Sequence, residues 1–219
     1  MGRTCAGRMH DDEMASDPSE YWDRRRSLSP SPLQPVVADG DRRLSVLADL
    51  SDSVVRPQSR SLLDRLDRFS CLRATPPEDL HLTIKLFNAG RSHTERIGTD
   101  RVRRLVDRIA AGAAPFEVSF PRLNVFPDTV YAEADGDGTL TDLNRAFCRV
   151  DDTVDTDRDR GGFIPHLTLG YFTGDGDYDD LVDFLEANRD LDLPTLEVSE
   201  LALRRRSPLR DTRPVPGGS

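Results

Sequence analysis

The chain has 219 residues, enough for one ordinary domain with extensions or two small ones, and ample to bury a core. Hydrophobic residues make up 37% and charged residues 32%, which excludes a uniformly disordered chain, and no apolar run approaches the ~20 residues of a membrane span. The first thirty residues lack the apolar core of a secretory signal, so a cytoplasmic protein is expected; a monomer with no membrane and no obligate protein partner is expected besides.

Residues 1–42 carry mixed charges and a Ser/Pro cluster from Ser27 to Pro35. They read as a flexible extension, with room for a short local element around Tyr21 and Trp22. Leu44, Val46, Ala48 and Leu50 then alternate like a strand. Leu62, Leu66 and Phe69 recur as on a helix face, and His81–Phe87 reads as a second strand. Thr99 is a candidate N-cap for a helix with Val102, Leu105, Val106 and Ile109 on one stripe and Gly112 past its end. Phe116, Val118 and Phe120 alternate again.

The same order of elements recurs. A strand at Val130–Ala134 precedes a helix bearing Leu140, Leu143, Phe147 and Val150. The strand His166–Phe172 comes next, then a helix with Leu181, Phe184 and Leu185, and a last strand from Leu196 towards Leu203. The first strand of each half starts 37 or 36 residues before its histidine, and the last starts 35 or 30 after it. This spacing reads as a duplication with a period of roughly 85 residues. The halves are residues 43–123 and 128–206, within a domain of 43–206 followed by a tail, 207–219. Asp151–Asp159 reads as an insertion in a surface loop. Two repeats predict two pseudo-equivalent lobes about an axis, with the matched positions meeting near it.

The matched position is His-Leu-Thr. The chain has four histidines, and His81 and His166 each open this tripeptide. Strict alternation along a strand puts His81, Thr83 and Lys85 on one face and Leu82, Ile84 and Leu86 on the other. It likewise joins His166 to Thr168, with Leu167 and Leu169 opposite. Two imidazoles converging on one cleft suit acid–base chemistry near neutral pH. One takes a proton from an attacking hydroxyl while the other gives one to a departing oxygen. Thr83 and Thr168, beside them, can bind the oxygens of a phosphodiester. A lone His-Leu-Thr is a trivial tripeptide, more often a satisfied or solvated strand segment; the information lies in the matched pair.

Two H-x-[ST] motifs about 85 residues apart in this frame resemble the 2H phosphoesterase superfamily, and the segments PPEDLHLTIKLF and FIPHLTLGYF resemble its 2'-5' RNA ligase (RNA 2',3'-cyclic phosphodiesterase) branch. The resemblance covers about residues 43–206. It implies an α+β, bilobal fold of two antiparallel β-sheets flanked by helices around a central cleft. It also implies metal-independent hydrolysis of 2',3'-cyclic phosphate ends to 2'-phosphates, with 2'-5' RNA ligation as a further activity. His81 and His166 fall on the catalytic positions and Thr83 and Thr168 on the phosphate-binding ones. No cofactor or metal is implied, and the partners are RNA 3' ends or cyclic nucleotides. Many relatives carry an arginine where this chain has Tyr171, which alternation turns away from the cleft unless the strand bulges. Lys85 is a candidate phosphate contact in its place, against a solvated strand residue. A non-catalytic nucleotide- or RNA-binding module is the rival reading, and ADP-ribose 1'',2''-cyclic phosphate a rival substrate.

Charge does not exclude RNA. The net charge is −9, normally adverse to a nucleic-acid partner. Yet the acids are 30 Asp and 9 Glu, and the bases 29 Arg and Lys85 alone. Such a surface reads as adaptation to concentrated salt, with GC-rich codon bias as the alternative. In molar salt the Debye length is ~3 Å, so long-range repulsion is screened. Asp175, Asp177, Asp179, Asp183 and Glu186 fit part of a calcium-loop template, but Asp180 stands where glycine is needed, so an acidic helix start is the better reading. Phe126, Tyr131 and Phe163 are candidate base-stacking surfaces or core. His10 and His93 read as solvated, and Cys5, Cys71 and Cys148 as neither a disulfide framework nor a zinc cluster.

Overall fold

The computed structural model describes residues 17–32, 43–50, 53–87, 97–150 and 158–206. The strands are β1 (Arg43–Asp49), β2 (Leu72–Ala74), β3 (His81–Phe87), β4 (Phe116–Val118), β5 (Leu123–Phe126), β6 (Thr129–Glu133), β7 (His166–Phe172), β8 (Leu196–Val198) and β9 (Ala202–Arg206). The helices are α1 (Pro18–Arg24), α2 (Val55–Leu66), α3 (Thr99–Ala110), α4 (Thr139–Cys148) and α5 (Tyr178–Ala187). The α+β class with antiparallel sheets holds. The two sheets do not divide by halves, however. One runs β5-β6-β7-β3-β1-β9 with β2 also on β7, and a two-stranded ribbon joins β4 to β8. The reason is direct pairing of the two histidine strands, Leu82 opposite Leu167.

One face of the large sheet is apolar. Leu44, Val46, Leu82, Ile84, Val130, Ala132, Leu167 and Leu169 enter a single core with residues from α2, α3, α4 and α5. Leu82 and Leu167 are both buried, and burying each fully is worth about 1.5–3 kcal/mol. A register slip of one residue would turn them outward, so this burial fixes the facing of both strands.

The last strand departs from its expected continuity. The apolar pattern from Leu196 to Leu203 is interrupted, so β8 pairs with β4 while β9 pairs with β1. The helix expected from a Thr99 cap instead has Gly98 at its N-cap, with no side-chain bond there. Within 1–42, residues 17–32 pack onto the sheet rather than trailing from it: Tyr21 is buried and Pro18 O accepts a bond from Asn124 Nδ2 at 2.8 Å. The remainder of that segment, the tail 207–219, Cys5, His10 and His93 lie outside the described residues. Cys71 and Cys148 are buried free thiols.

Both histidine strands carry a matched irregularity. Pairing of β1 with β3 skips Ile84, and pairing of β6 with β7 skips Leu169. A bulge reverses the facing of the residues beyond it, and both strands show the same burial order, with two successive buried residues after the threonine. Tyr171 is thereby brought to the cleft. At Gly170 a Cβ would meet Arg73 O and the Leu72 side chain at 3.0 Å, so glycine lets β2 close on β7 there.

The same reversal corrects the expectation for Lys85. It is not a solvated strand residue: its side chain is fully buried, Nζ donates to Asp159 Oδ2 at 2.5 Å, and it lines the cavity that His81 and His166 share. Asn144 on α4 donates from Nδ2 to Asp159 Oδ1 at 2.9 Å and to Ile84 O at 2.8 Å, while its Oδ1 accepts from Arg160 N at 2.9 Å. This polar knot ties β3, α4 and the chain entering β7. Breaking one side of a buried ion pair strands the other charge, so Asp159→Ala is expected to cost about 3–5 kcal/mol. Pairing Lys85→Met with Asp159→Leu should recover most of that loss in urea denaturation.

Candidate active site

On the sheet face opposite the helical core, a cavity of about 150 Å³ is lined by His81, Thr83, His166 and Thr168 together. Carried one residue to either side of Leu82–Leu167, the antiparallel register sets His81 across from Thr168 and Thr83 across from His166. Each imidazole therefore has a threonine on its own strand and another across the strand junction. The enclosed volume is below that of a drug-sized ligand pocket, so it suits one reacting group with the rest of a substrate outside.

The two imidazoles are held in the same way. His81 Nδ1 lies 2.6 Å from Asp79 O, and His166 Nδ1 lies 2.7 Å from Ile164 O. A carbonyl only accepts, so Nδ1 carries the proton in each case, and Nε2 is the acceptor of the neutral ring. His166 is also enclosed by aromatics. Phe126 meets it edge-on at 5.1 Å and Tyr131 at 5.4 Å. Burial pushes the His166 pKa down to about 4, against the Ile164 carbonyl, which raises it; the Arg158 charge and the neighbouring His81 ring add to the lowering and Asp128 opposes it. At neutral pH His166 is an uncharged imidazole with its Nε2 lone pair available.

Phe126 and Tyr131 are not open stacking surfaces. Their rings stack on each other at 4.0 Å, and the Arg158 guanidinium lies 4.9 Å from the Phe126 centroid. Phe163 does line the cavity. Tyr171 and Leu86 line it too, at equivalent positions after the two bulges. The described part of the Asp-rich loop is no remote surface insertion, since Arg158 and Asp159 both reach the cavity.

Among the cavity residues that the sequence does not mark as functional are Tyr21, Asp128 and Arg158. Arg158 Nη2 donates to both Asp128 carboxylate oxygens at 3.0 Å, and the arginine side chain is 41% exposed, enough to move. None of the three sits in a periodic pattern; the one signal for Arg158 is its place eight residues before His166. The calcium template dissolves: Tyr178–Ala187 is helical, and the Asp177 carboxylate accepts instead from Ser70 N and Cys71 N at 2.8 and 3.0 Å. Among the described residues no three His, Cys, Asp or Glu side chains gather as a metal cage, and no helix is long and apolar enough to cross a membrane.

A family model, 2'-5' RNA ligase superfamily, matches residues 55–209 and so spans both histidine strands. The chain belongs to the 2'-5' RNA ligase superfamily. It is 27% identical over 141 residues to the RNA 2',3'-cyclic phosphodiesterase of Methanothermobacter thermautotrophicus, covering 59% of this chain and 70% of that protein. It is 28% identical over 134 residues to the RNA 2',3'-cyclic phosphodiesterase of Archaeoglobus fulgidus, covering 58% and 71%. Among solved structures, E. coli LigT in its apo form aligns with a TM-score of 0.53 at 15% identity over 76% of this chain and 88% of that one, which shows a common fold. Of the cavity residues in this superfamily member, Tyr21 alone lies outside the matched range.

The His166 environment has a measurable consequence. Its ring should titrate by NMR with a midpoint near 4 rather than the usual ~6.5. Between those values the unfolded chain takes up a proton that the folded chain refuses, so this group's contribution to stability is intact above about pH 6.5 and falls as pH drops towards 4. His166→Phe, which cannot titrate, should flatten the stability profile across that window in denaturation experiments.

Proposed function

We propose that the protein is a metal-independent phosphodiesterase that opens 2',3'-cyclic phosphate ends of RNA or nucleotides to 2'-phosphates, with His166 as base and His81 as acid. The observation that carries this reading is the pair of His/Thr sets facing one another across β3 and β7 in one cavity. The names of the two archaeal relatives support the substrate class. The matched bulges and matched Nδ1 bonds support reading the halves as a duplication.

With neutral Nε2, His166 removes a proton from water as the water oxygen attacks phosphorus. The P–O3' bond breaks, and protonated His81 delivers its proton from Nε2 to the departing 3'-oxygen. The product is a 2'-phosphomonoester with a free 3'-hydroxyl, and the two rings exchange protonation states through solvent before the next turnover. The depressed His166 pKa favours this assignment, because it keeps the base uncharged at the working pH. Thr83 and Thr168 donate hydroxyl bonds to the non-bridging oxygens. Arg158 exchanges Asp128 for one of those oxygens and supplies the positive charge that Tyr171 cannot. Ligation puts an RNA 5'-hydroxyl in the place of water. Cleavage of the resulting 2'-5' linkage runs the steps backwards, with His81 as base on the 3'-hydroxyl.

Tyr171 in the cavity, where many relatives carry arginine, favours a second reading: a module that binds a nucleotide or RNA end without turnover. One assay separates the two. A 2',3'-cyclic-phosphate oligonucleotide incubated in high KCl is expected to yield a 2'-phosphate terminus. His81→Ala and His166→Ala should each lower kcat by about 10²-fold or more, in line with the ~10²–10⁴ a general acid or base supplies, and EDTA should change nothing. Saturable binding without turnover in the unmodified chain would establish the binding module instead.

A further inference from the structure

Residues 17–32 precede the range matched by the superfamily model, yet they reach the cavity. Tyr21, on α1, is 4% exposed, and its ring meets Phe126 edge-on at 4.9 Å. Phe126 in turn stacks on Tyr131, contacts the His166 ring and carries the Arg158 guanidinium. Tyr21, Phe126, Tyr131 and Ile164 form an apolar cluster separate from the main core, on the cleft side of the sheet.

The segment is fastened at several independent points. Pro18 O is held by Asn124, Ser31 N donates to Pro127 O at 2.7 Å, and Tyr178 Oη donates to Arg25 O at 2.7 Å. Arg25 and Arg26 pair with Glu186, and Arg26 also with Asp183. Trp22 lies beneath the guanidinium groups of Arg189 and Arg25, at 3.9 and 4.4 Å. A peripheral tail would have little reason to use a buried tyrosine, a tryptophan and three ion pairs against α5 and the sheet.

We propose that this N-terminal strap is a part of the active site, in which Tyr21 is a positioning residue that braces Phe126 and through it seats His166 and Arg158 against the substrate. The proposal deepens the phosphodiesterase reading and rests on it for its kinetic arm, while its structural arm is independent of turnover. The physical basis is exclusion of water. Without the Tyr21 ring, the free edge of Phe126 is wetted, the aromatic wall of His166 loosens, and Arg158 loses a fixed platform. The groups that face His166 are Glu133 and Tyr131 from β6, Phe126 and Asp128 from the β5–β6 region, Arg158 from the preceding loop and His81 from β3. Of these groups, Phe126 is the one that the Tyr21 ring meets edge-on.

The test compares the full chain with Tyr21→Ala, Tyr21→Phe and Tyr21→Leu, reading the NMR titration of His166 beside kcat and KM for a cyclic-phosphate oligonucleotide. Tyr21→Ala is expected to move the His166 midpoint upward by about one unit or more and to lower kcat about tenfold or more, since small misplacements cost such factors. Tyr21→Phe, which keeps the ring, should restore both, and Tyr21→Leu should fall between. If Tyr21→Ala melts cooperatively with an unchanged His166 midpoint and unchanged kcat, the proposal is overturned. Should Tyr21→Ala fail to fold, a Tyr21→Leu variant indistinguishable from the unmodified chain in both readouts overturns it equally. Absence of turnover in the unmodified chain would reject the phosphodiesterase reading, and the His166 midpoint would still decide the brace.

Discussion

The cleft depends on one antiparallel contact, Leu82 opposite Leu167. Both leucines are held by the helical core on the far side of the sheet. Because side chains alternate, that burial forces His81, Thr83, His166 and Thr168 onto the other face. Two strands 85 residues apart in sequence are thereby clamped in the one register that sets each histidine beside the other strand's threonine. The apolar core does the aligning, and the polar residues are carried with it. The large sheet is consequently continuous through both halves, and the small ribbon of β4 and β8 ties them together at a second place.

The environments around the two imidazoles then differ although their backbone anchors match. Each gives its Nδ1 proton to a carbonyl two residues upstream. His166 sits against Phe126 and Tyr131, with Arg158 close enough to oppose a second positive charge. In the proposed reaction this asymmetry separates base from acid: a ring that resists protonation receives the water proton, and its partner donates. A pair of carboxylates forced apart in pKa divides labour by the same logic.

Charge in this molecule is handled mostly by pairing. The chain's single lysine is buried against Asp159 within the knot made by Asn144, so it organises the loop before β7 rather than offering charge to solvent. Arg158, two steps away along the same loop from the Arg160 amide bound to Asn144, is the cationic side chain left at the cavity with appreciable exposure. Its partner Asp128 is itself a cavity residue, so an incoming phosphate and a carboxylate compete for the same guanidinium. The many arginine–aspartate and arginine–glutamate pairs on the exposed surface contribute little individually.

Much of this was legible in the linear order of residues. Alternation at His81–Phe87 and His166–Phe172 marked both strands, the 3.6-residue stripes marked α2, α3, α4 and α5, and the repeated His-Leu-Thr marked four residues that share one cavity. Local periodicity reports which side of an element is apolar, because that depends on near neighbours alone. The bulges at Ile84 and Leu169 were not legible, since they depend on where the partner strand skips a residue; they bury Lys85 and turn Tyr171 inward. Nor were Tyr21, Asp128 and Arg158, which lie on a short helix and on loops with no period to betray them. Their meeting around Phe126 and His166 is a matter of distant segments converging, and contacts of that kind are decided only when the whole chain competes for the same buried space.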